Sequence, residues 1–251
     1  MTADPRPLLR AGLRRILDGL DLRLVRLSPD QVRGHDPFRD LAWILRRRKH
    51  PVVIDAGAND GETVATFMHR LPGARILAFE PYGPSYQALR RRFRDTPTVE
   101  TLNVALGAAP GSARLHLYSG HRMNSLLRLD PDPANPMAGG FAPEGEVTVP
   151  VATVDGIAAE RHLPRIDILK IDTQGYDLEV LRGAEGQLAA RRVGAVLLEV
   201  NFVPMYERQA SFPELHSLLS GHGYRLVDFY NHQRSAGVTA WCDACYAAPH
   251  P

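Results

Sequence analysis

From residue 51 onward the apolar positions switch between short unbroken runs and a helical spacing. "PVVIDA" is a β-branched run and predicts a strand. After it, Val64, Phe67, Met68 and Leu71 fall at i, i+3, i+4 and i+7, the spacing of one buried helix face. "ARILAFE" predicts a second strand, Tyr86, Leu89 and Phe93 the face of the next helix, and "TVETLNVALG" a third strand. The rhythm resumes at "TVDGIAAERH", a helix with Asp155 as its expected N-cap. Then come "IDILKID" as a strand, "YDLEVLRGAEGQL" as one helix with Leu178, Leu181 and Leu188 inward, and "GAVLLEV" as a strand. "FPELHSLLSGHG" predicts a helix closed by Gly221 and Gly223. "YRLVDFY" and "TAWCDACYAA" are joined by too few residues for a crossover helix, so they are expected antiparallel. The pattern predicts an α/β fold: a doubly wound, mostly parallel sheet with a C-terminal antiparallel hairpin.

Two stretches break the rhythm. Residues 119–148, with "DPDPANPMAGGFAPEGE", carry too much Pro and Gly for a regular element and are expected to form a loop insertion and mobile lid. Residues 1–50 are expected to form an Arg-rich helical extension to a domain spanning 51–251. There Leu8, Leu9, Leu13, Ile16 and Leu17 recur at helical spacing between arginines, and "FRDLAWILRRRKHP" predicts a second helix stopped by Pro51. These helices are candidate dimerisation or docking elements.

Composition narrows the class. With 251 residues, 44% of them apolar, the chain can bury one large core. A net charge of +2 gives no field of nucleic-acid scale, and no stretch reads as a leader or a membrane span. Two cysteines make a disulfide framework unexpected, so a cytoplasmic enzyme is the expectation. "CDAC" lacks the second pair a zinc site needs, and period two sends Cys242 and Cys245 to opposite faces of their strand.

The candidate chemistry lies where strands end. In a doubly wound sheet ligands bind beyond the carboxyl ends of the strands. Gly57 would let backbone approach a ligand there, and Gly61 would open a helix whose first amides point into the same space. The spacing Asp55-x-Gly57-x-x-x-Gly61 is not the dinucleotide fingerprint G-x-G-x-x-G, which counts against an oxidoreductase. Glu80, ending the second strand before Pro81, is placed to accept both hydroxyls of a ribose. Asp55 on an amine and Glu80 on a ribose suit S-adenosylmethionine; the alternative is a helix-capping Asp55 and a surface Glu80.

The stretches "VVIDAGANDGETVATF", "ILAFEPYGPSYQAL", "NVALG" and "IDILKIDTQGYDLEVLRGA" together resemble the FkbM-type S-adenosylmethionine-dependent methyltransferases, from about residue 50 to the end. Asp177 departs from the Glu usual in that family. The resemblance implies a class I methyltransferase fold and O-methylation of a hydroxyl, often on a sugar of a glycolipid, polysaccharide or secondary metabolite. Carried onto this chain, the cofactor set is Asp55, Gly57, Ala58, Asn59, Gly61, Glu80, Pro81, Asn103, Ala105 and Asp172.

A sugar hydroxyl is a poor acid, so a base or a metal is expected near the reacting oxygen. Lys170 and Asp172 share one face of an otherwise apolar strand and are the catalytic candidates, with a structural ion pair as the alternative. Gln174 and Tyr176 follow in the turn, "HRMNSLL" offers His121, Asn124 and Ser125, and Glu199 ends the fifth strand. Asn124, Ser125, Gln174, Tyr176 and Glu199 are the candidate acceptor-binding residues. Asp172, Glu199 and Asn201 would suit Mg2+, though no close ligand pair demands a metal. The expected partner is a small-molecule or saccharide acceptor, and not nucleic acid. N-methylation of a small-molecule amine and a non-catalytic cofactor-binding module remain alternatives.

Overall fold

The computed structural model describes residues 34–249 apart from 133, 134 and 138, together with 17, 19 and 20. The helix expected over Leu8–Leu17 lies outside the described residues, Leu17 apart. The described residues from Gly34 onward form one compact unit.

In chain order its elements are α1 (Pro37–Ile44), β1 (Val52–Ala56), α2 (Glu62–Arg70), β2 (Arg75–Phe79), α3 (Gly83–Phe93), β3 (Val99–Leu102), β4 (Ala105–Leu106) and β5 (Gly111–Tyr118). A 3-10 turn (His121–Met123), β6 (Pro143–Ala152), α4 (Val154–Glu160), β7 (Ile166–Ile171), α5 (Asp177–Arg182), α6 (Glu185–Ala189), β8 (Val193–Asn201), α7 (Phe212–Gly221), β9 (Arg225–Ser235) and β10 (Val238–Ala247) follow. The main sheet is seven-stranded, in the order β3-β2-β1-β7-β8-β10-β9. β1, β2, β3, β7 and β8 run parallel, and β10 is antiparallel to both β8 and β9.

Both faces are covered, which is why the central strands read as unbroken apolar runs. On one face Ile54, Leu77, Leu169 and Val196 pack with residues of α4 to α7 such as Ile157, Leu181, Leu188 and Leu215. On the other, Val53, Ile76 and Ile168 pack with Leu41 and Leu45, with Val64, Phe67 and Leu71 of the second helix region, and with Leu89 and Phe93. Each such side chain, fully buried, contributes about 1.5–3 kcal/mol. Cys242 belongs to the first core and Cys245 to the second, as period two requires.

Several elements depart from the sequence pattern. α1 begins at Asp36, whose carboxylate accepts from the amides of Phe38 and Arg39, and it ends at Ile44, well before Pro51. The third strand is two: Val99–Leu102 joins the main sheet, while Ala105–Leu106 joins a separate three-stranded sheet, β4-β6-β5. That small sheet claims residues 143–148 of the expected loop. Thr153, not Asp155, caps α4; Asp155 instead accepts from the amides of Gly186 and Gln187 and caps α6. The helix expected over 176–188 breaks at Gly183–Ala184. Among the described residues no helix is long and apolar enough to cross a membrane.

Candidate active site

The ends of β1, β2 and β7 meet around one cavity of about 270 Å³. Its floor is the turn after β1. The amides of Gly57 and Ala58 both donate to Phe79 O, and Asp172 N donates to Ala56 O, so the turn is tied to both neighbouring strands. Gly57 has φ +83°, and a Cβ there would lie 1.9 Å from Asp172 O. The strand beside it is therefore sufficient by itself to require the glycine, which also lines the cavity. Gly61, φ +87°, is the N-cap of α2, and a Cβ there would lie 2.3 Å from the Phe93 ring.

Glu80 is 7% exposed at the cavity edge. Its carboxylate accepts from Asn59 N at 2.9 Å and Tyr82 N at 2.8 Å, which fixes it between two turns. Burial pushes it up to about 7, against the pull of those amides. Asp177, buried and close to Asp172, is likewise pushed up to about 7. A carboxyl with a higher pKa folded than unfolded holds its proton through the window between the two values, so stability falls as pH rises through it. Here that window runs from about 4 to about 7. The apoprotein is expected to melt at higher temperature at pH 5 than at pH 8 in equal salt, and Glu80→Gln should flatten part of that slope. A slope identical in the variant would remove Glu80 as its source.

Lys170 lies beneath the cavity. Its Nζ is 3.1 Å from Asp55 Oδ1, 3.4 Å from Asp172 Oδ2 and 3.3 Å from Gly57 O. Burial opposes its charge, yet the two carboxylates hold the ammonium above the usual lysine range. Asp55 is raised by burial and pulled back by Lys170. It is fully buried and does not line the cavity, so it neither meets a ligand amine nor caps α2. It is the counter-ion of Lys170, directly opposite it across β1 and β7. Asp172, its side chain 40% exposed, does face the cavity.

Ala58, Asn59, Pro81 and Ala105 line the cavity with Gly57 and Glu80. Asn103 does not line it; its exposed side chain donates to Glu80 O at 2.8 Å and Pro81 O at 3.0 Å and braces the turn that carries Glu80. Asn124, Ser125, Gln174 and Tyr176 all line the cavity. Ser125, however, is fully buried and spends its hydroxyl on Gln174 O, at 2.6 Å, and on Leu127 N. Asn124 Oδ1 accepts from Tyr118 N. Glu199 lies one strand away and does not line the cavity, and Asn201 donates to it at 3.3 Å. Among the described residues no group of three or more His, Cys, Asp or Glu is placed to hold a metal ion.

Sequence reasoning missed Tyr206. Its hydroxyl donates to Gln174 Oε1 at 2.8 Å, and Gln174 Nε2 donates to Asp172 Oδ1 at 2.8 Å, so a buried phenol orients the residue that orients Asp172. It sits in an irregular segment with no periodic signal. Also missed was the apolar wall of Phe79, Val104, Leu106, Leu115 and Leu126, and Arg122, which lines the cavity mouth and pairs with Glu62 at 3.1 Å.

Strand order, the antiparallel β10 and a cavity at the parallel strand ends define a class I methyltransferase fold. The model of the methyltransferase FkbM domain matches residues 55–226, and the chain belongs to that family. It is 26% identical over 203 residues to the methyltransferase sdnD of Sordaria araneosa, covering 71% of this chain and 75% of that one. Over 238 residues it is 26% identical to the 31-O-demethyl-FK506 methyltransferase FkbM of Streptomyces tacrolimicus, covering 85% and 88%. Over 183 residues it is 24% identical to the 2-O-methyltransferase NoeI of Sinorhizobium fredii, covering 70% and 73%.

Proposed function

We propose that the protein methylates a hydroxyl, on a saccharide or a small secondary metabolite, with S-adenosylmethionine as donor. The observation that carries the reading is Glu80: a nearly buried carboxylate clamped by two amides at the edge of a cavity with an apolar wall. Two fixed acceptor oxygens suit a ribose diol, and Phe79, Val104, Leu106 and Leu126 suit the adenine beside it. When bound, S-adenosylmethionine supplies a methyl group already activated on a sulfonium. The chain's own task is to align an acceptor oxygen and move its proton. Asp172 is the one cavity carboxylate held by both Lys170 and Gln174, and takes or orients that proton. Gln174 and Tyr176 line the acceptor side, with His121, Arg122 and Asn124 lining the cavity beside them. Two relatives named for O-methylation support the choice of a hydroxyl.

Calorimetric titration tests the donor site. S-adenosylmethionine is expected to bind and NAD not to. Glu80→Ala should weaken the binding about ten- to hundred-fold, the loss of a hydrogen-bond partner that carries charge. Wild-type affinity in Glu80→Ala would show the ribose lies elsewhere.

A further inference from the structure

The turn after β7 is held in a shape its sequence does not favour. Gln174 has φ +55°, the left-handed region that a residue other than glycine keeps only where its surroundings fix it. Gly175 follows at φ +86°. Two segments from elsewhere in the chain do the fixing. Ser125, fully buried, donates to Gln174 O at 2.6 Å and accepts from Leu127 N, which uses its hydroxyl in both directions. Tyr206 lays its ring on Gly175, where a Cβ would come within 3.0 Å of Tyr206 Cδ2, and its hydroxyl donates to Gln174 Oε1 at 2.8 Å. Tyr206 is itself tied down, since Gln209 accepts from Tyr206 N and Met205 N and donates to Val203 O.

The polarity of these bonds runs one way. An ionised carboxylate only accepts, so Gln174 turns Nε2 to Asp172 Oδ1, at 2.8 Å, and Oε1 to the phenol. The phenol has one proton and two acceptors in reach, and Gln174 Oε1 is nearer than Met123 O, at 3.2 Å. Burial, with Glu199 and Asp172 close by, raises the phenol, so it keeps that proton and stays a donor. Gln174 therefore lines the cavity with both ends of its amide engaged. Asp172 receives Gln174 on Oδ1 and Lys170 on Oδ2, at 3.4 Å, which fixes the plane of its carboxylate. Its remaining lone pairs are open to the cavity that it lines. Tyr206, 1% exposed, does not line that cavity.

We infer that Tyr206 and Ser125 are positioning residues for methyl transfer: they lock Gln174, which aims the Asp172 carboxylate at the acceptor hydroxyl. This rests on the proposed reading that Asp172 takes or orients the proton of that hydroxyl. Gln174 and Ser125 then serve Asp172 and its turn, not the acceptor-binding roles their sequence positions suggested. A reacting group that slips by about 1 Å loses up to about 100-fold in rate, so the lock acts on kcat. Affinity for acceptor and cofactor is left to other residues.

The test uses the cell extract fraction into which the parent enzyme transfers tritiated methyl from labelled S-adenosylmethionine. On that fraction Tyr206→Phe, which keeps the ring and removes the hydroxyl, should lower kcat about ten- to hundred-fold. Its apparent KM for the fraction and its calorimetric affinity for S-adenosylmethionine should stay near the parent's. Gln174→Ala should show the same split, and the two together should be no slower than the slower single variant, because both act along one chain of bonds. Tyr206→Phe should likewise add nothing to Asp172→Asn. If Tyr206→Phe does not fold, Ser125→Ala is read in the same way. A parent-like kcat with only a lower melting temperature makes the phenol structural and overturns the inference. So does a raised KM with kcat unchanged, which puts Gln174 on the acceptor, and so do losses that add to those of Asp172→Asn. In each of these cases the parent still transfers methyl and Asp172→Asn is still slow, so the proposed function stands. No labelled product from the parent, or full turnover in Asp172→Asn, overturns the proposed reading and the inference with it.

Discussion

Asp172→Asn is expected to fold, to bind S-adenosylmethionine nearly as the parent does, and to lose about 10²- to 10⁴-fold in methyl-transfer rate, the usual share of a positioned base. The substitution keeps the shape and the contact with Gln174 while removing the charge that faces the cavity. Single-turnover rates with saturating cofactor would read it directly. Turnover near the parent's would leave Asp172 with a structural role alone, as counter-ion to Lys170.

Lys170→Met has the largest expected effect on stability. Lys170 is 7% exposed, and its departure leaves Asp55, which is fully exposure-free, as a buried acid with no cation beside it. Breaking one partner out of a buried pair costs about 3–5 kcal/mol. Urea unfolding should show that loss, and adding Asp55→Asn should recover most of it because no buried charge then remains. If the single variant unfolds at the parent's midpoint, the Asp55–Lys170 contact contributes nothing to the folded state.

The parallel strands were legible because burial on both faces makes each an unbroken apolar run, as in "IDILKI" of β7. β6 was not: its residues are exposed along most of its length, and Pro143 and Gly145 read as loop. Glu80 and Gly57 were legible as candidates because ligands in this fold are expected at strand ends, and both line the cavity. Asp55 was misread for a reason of register. It is one residue short of the strand end, and its partner Lys170 is met only when β1 pairs with β7. Asn103 was misread because its amide turns back onto the main chain. Tyr206 was beyond reach, since its contacts with Gln174 and Met123 join irregular segments distant in sequence.

The wall over the acceptor side is anchored by residues made much later. Asn135 donates to Met205 O across 70 positions, and Leu129 bridges Tyr206. At about 5–20 residues per second, those 70 positions take the ribosome roughly 4–14 s. Through that interval Met123, Met137 and Phe141 wait without the Met205 and Tyr206 surface they finally pack against. The nascent chain, more than the finished enzyme, is thus the form that presents a greasy, unanchored segment to proteases and chaperones.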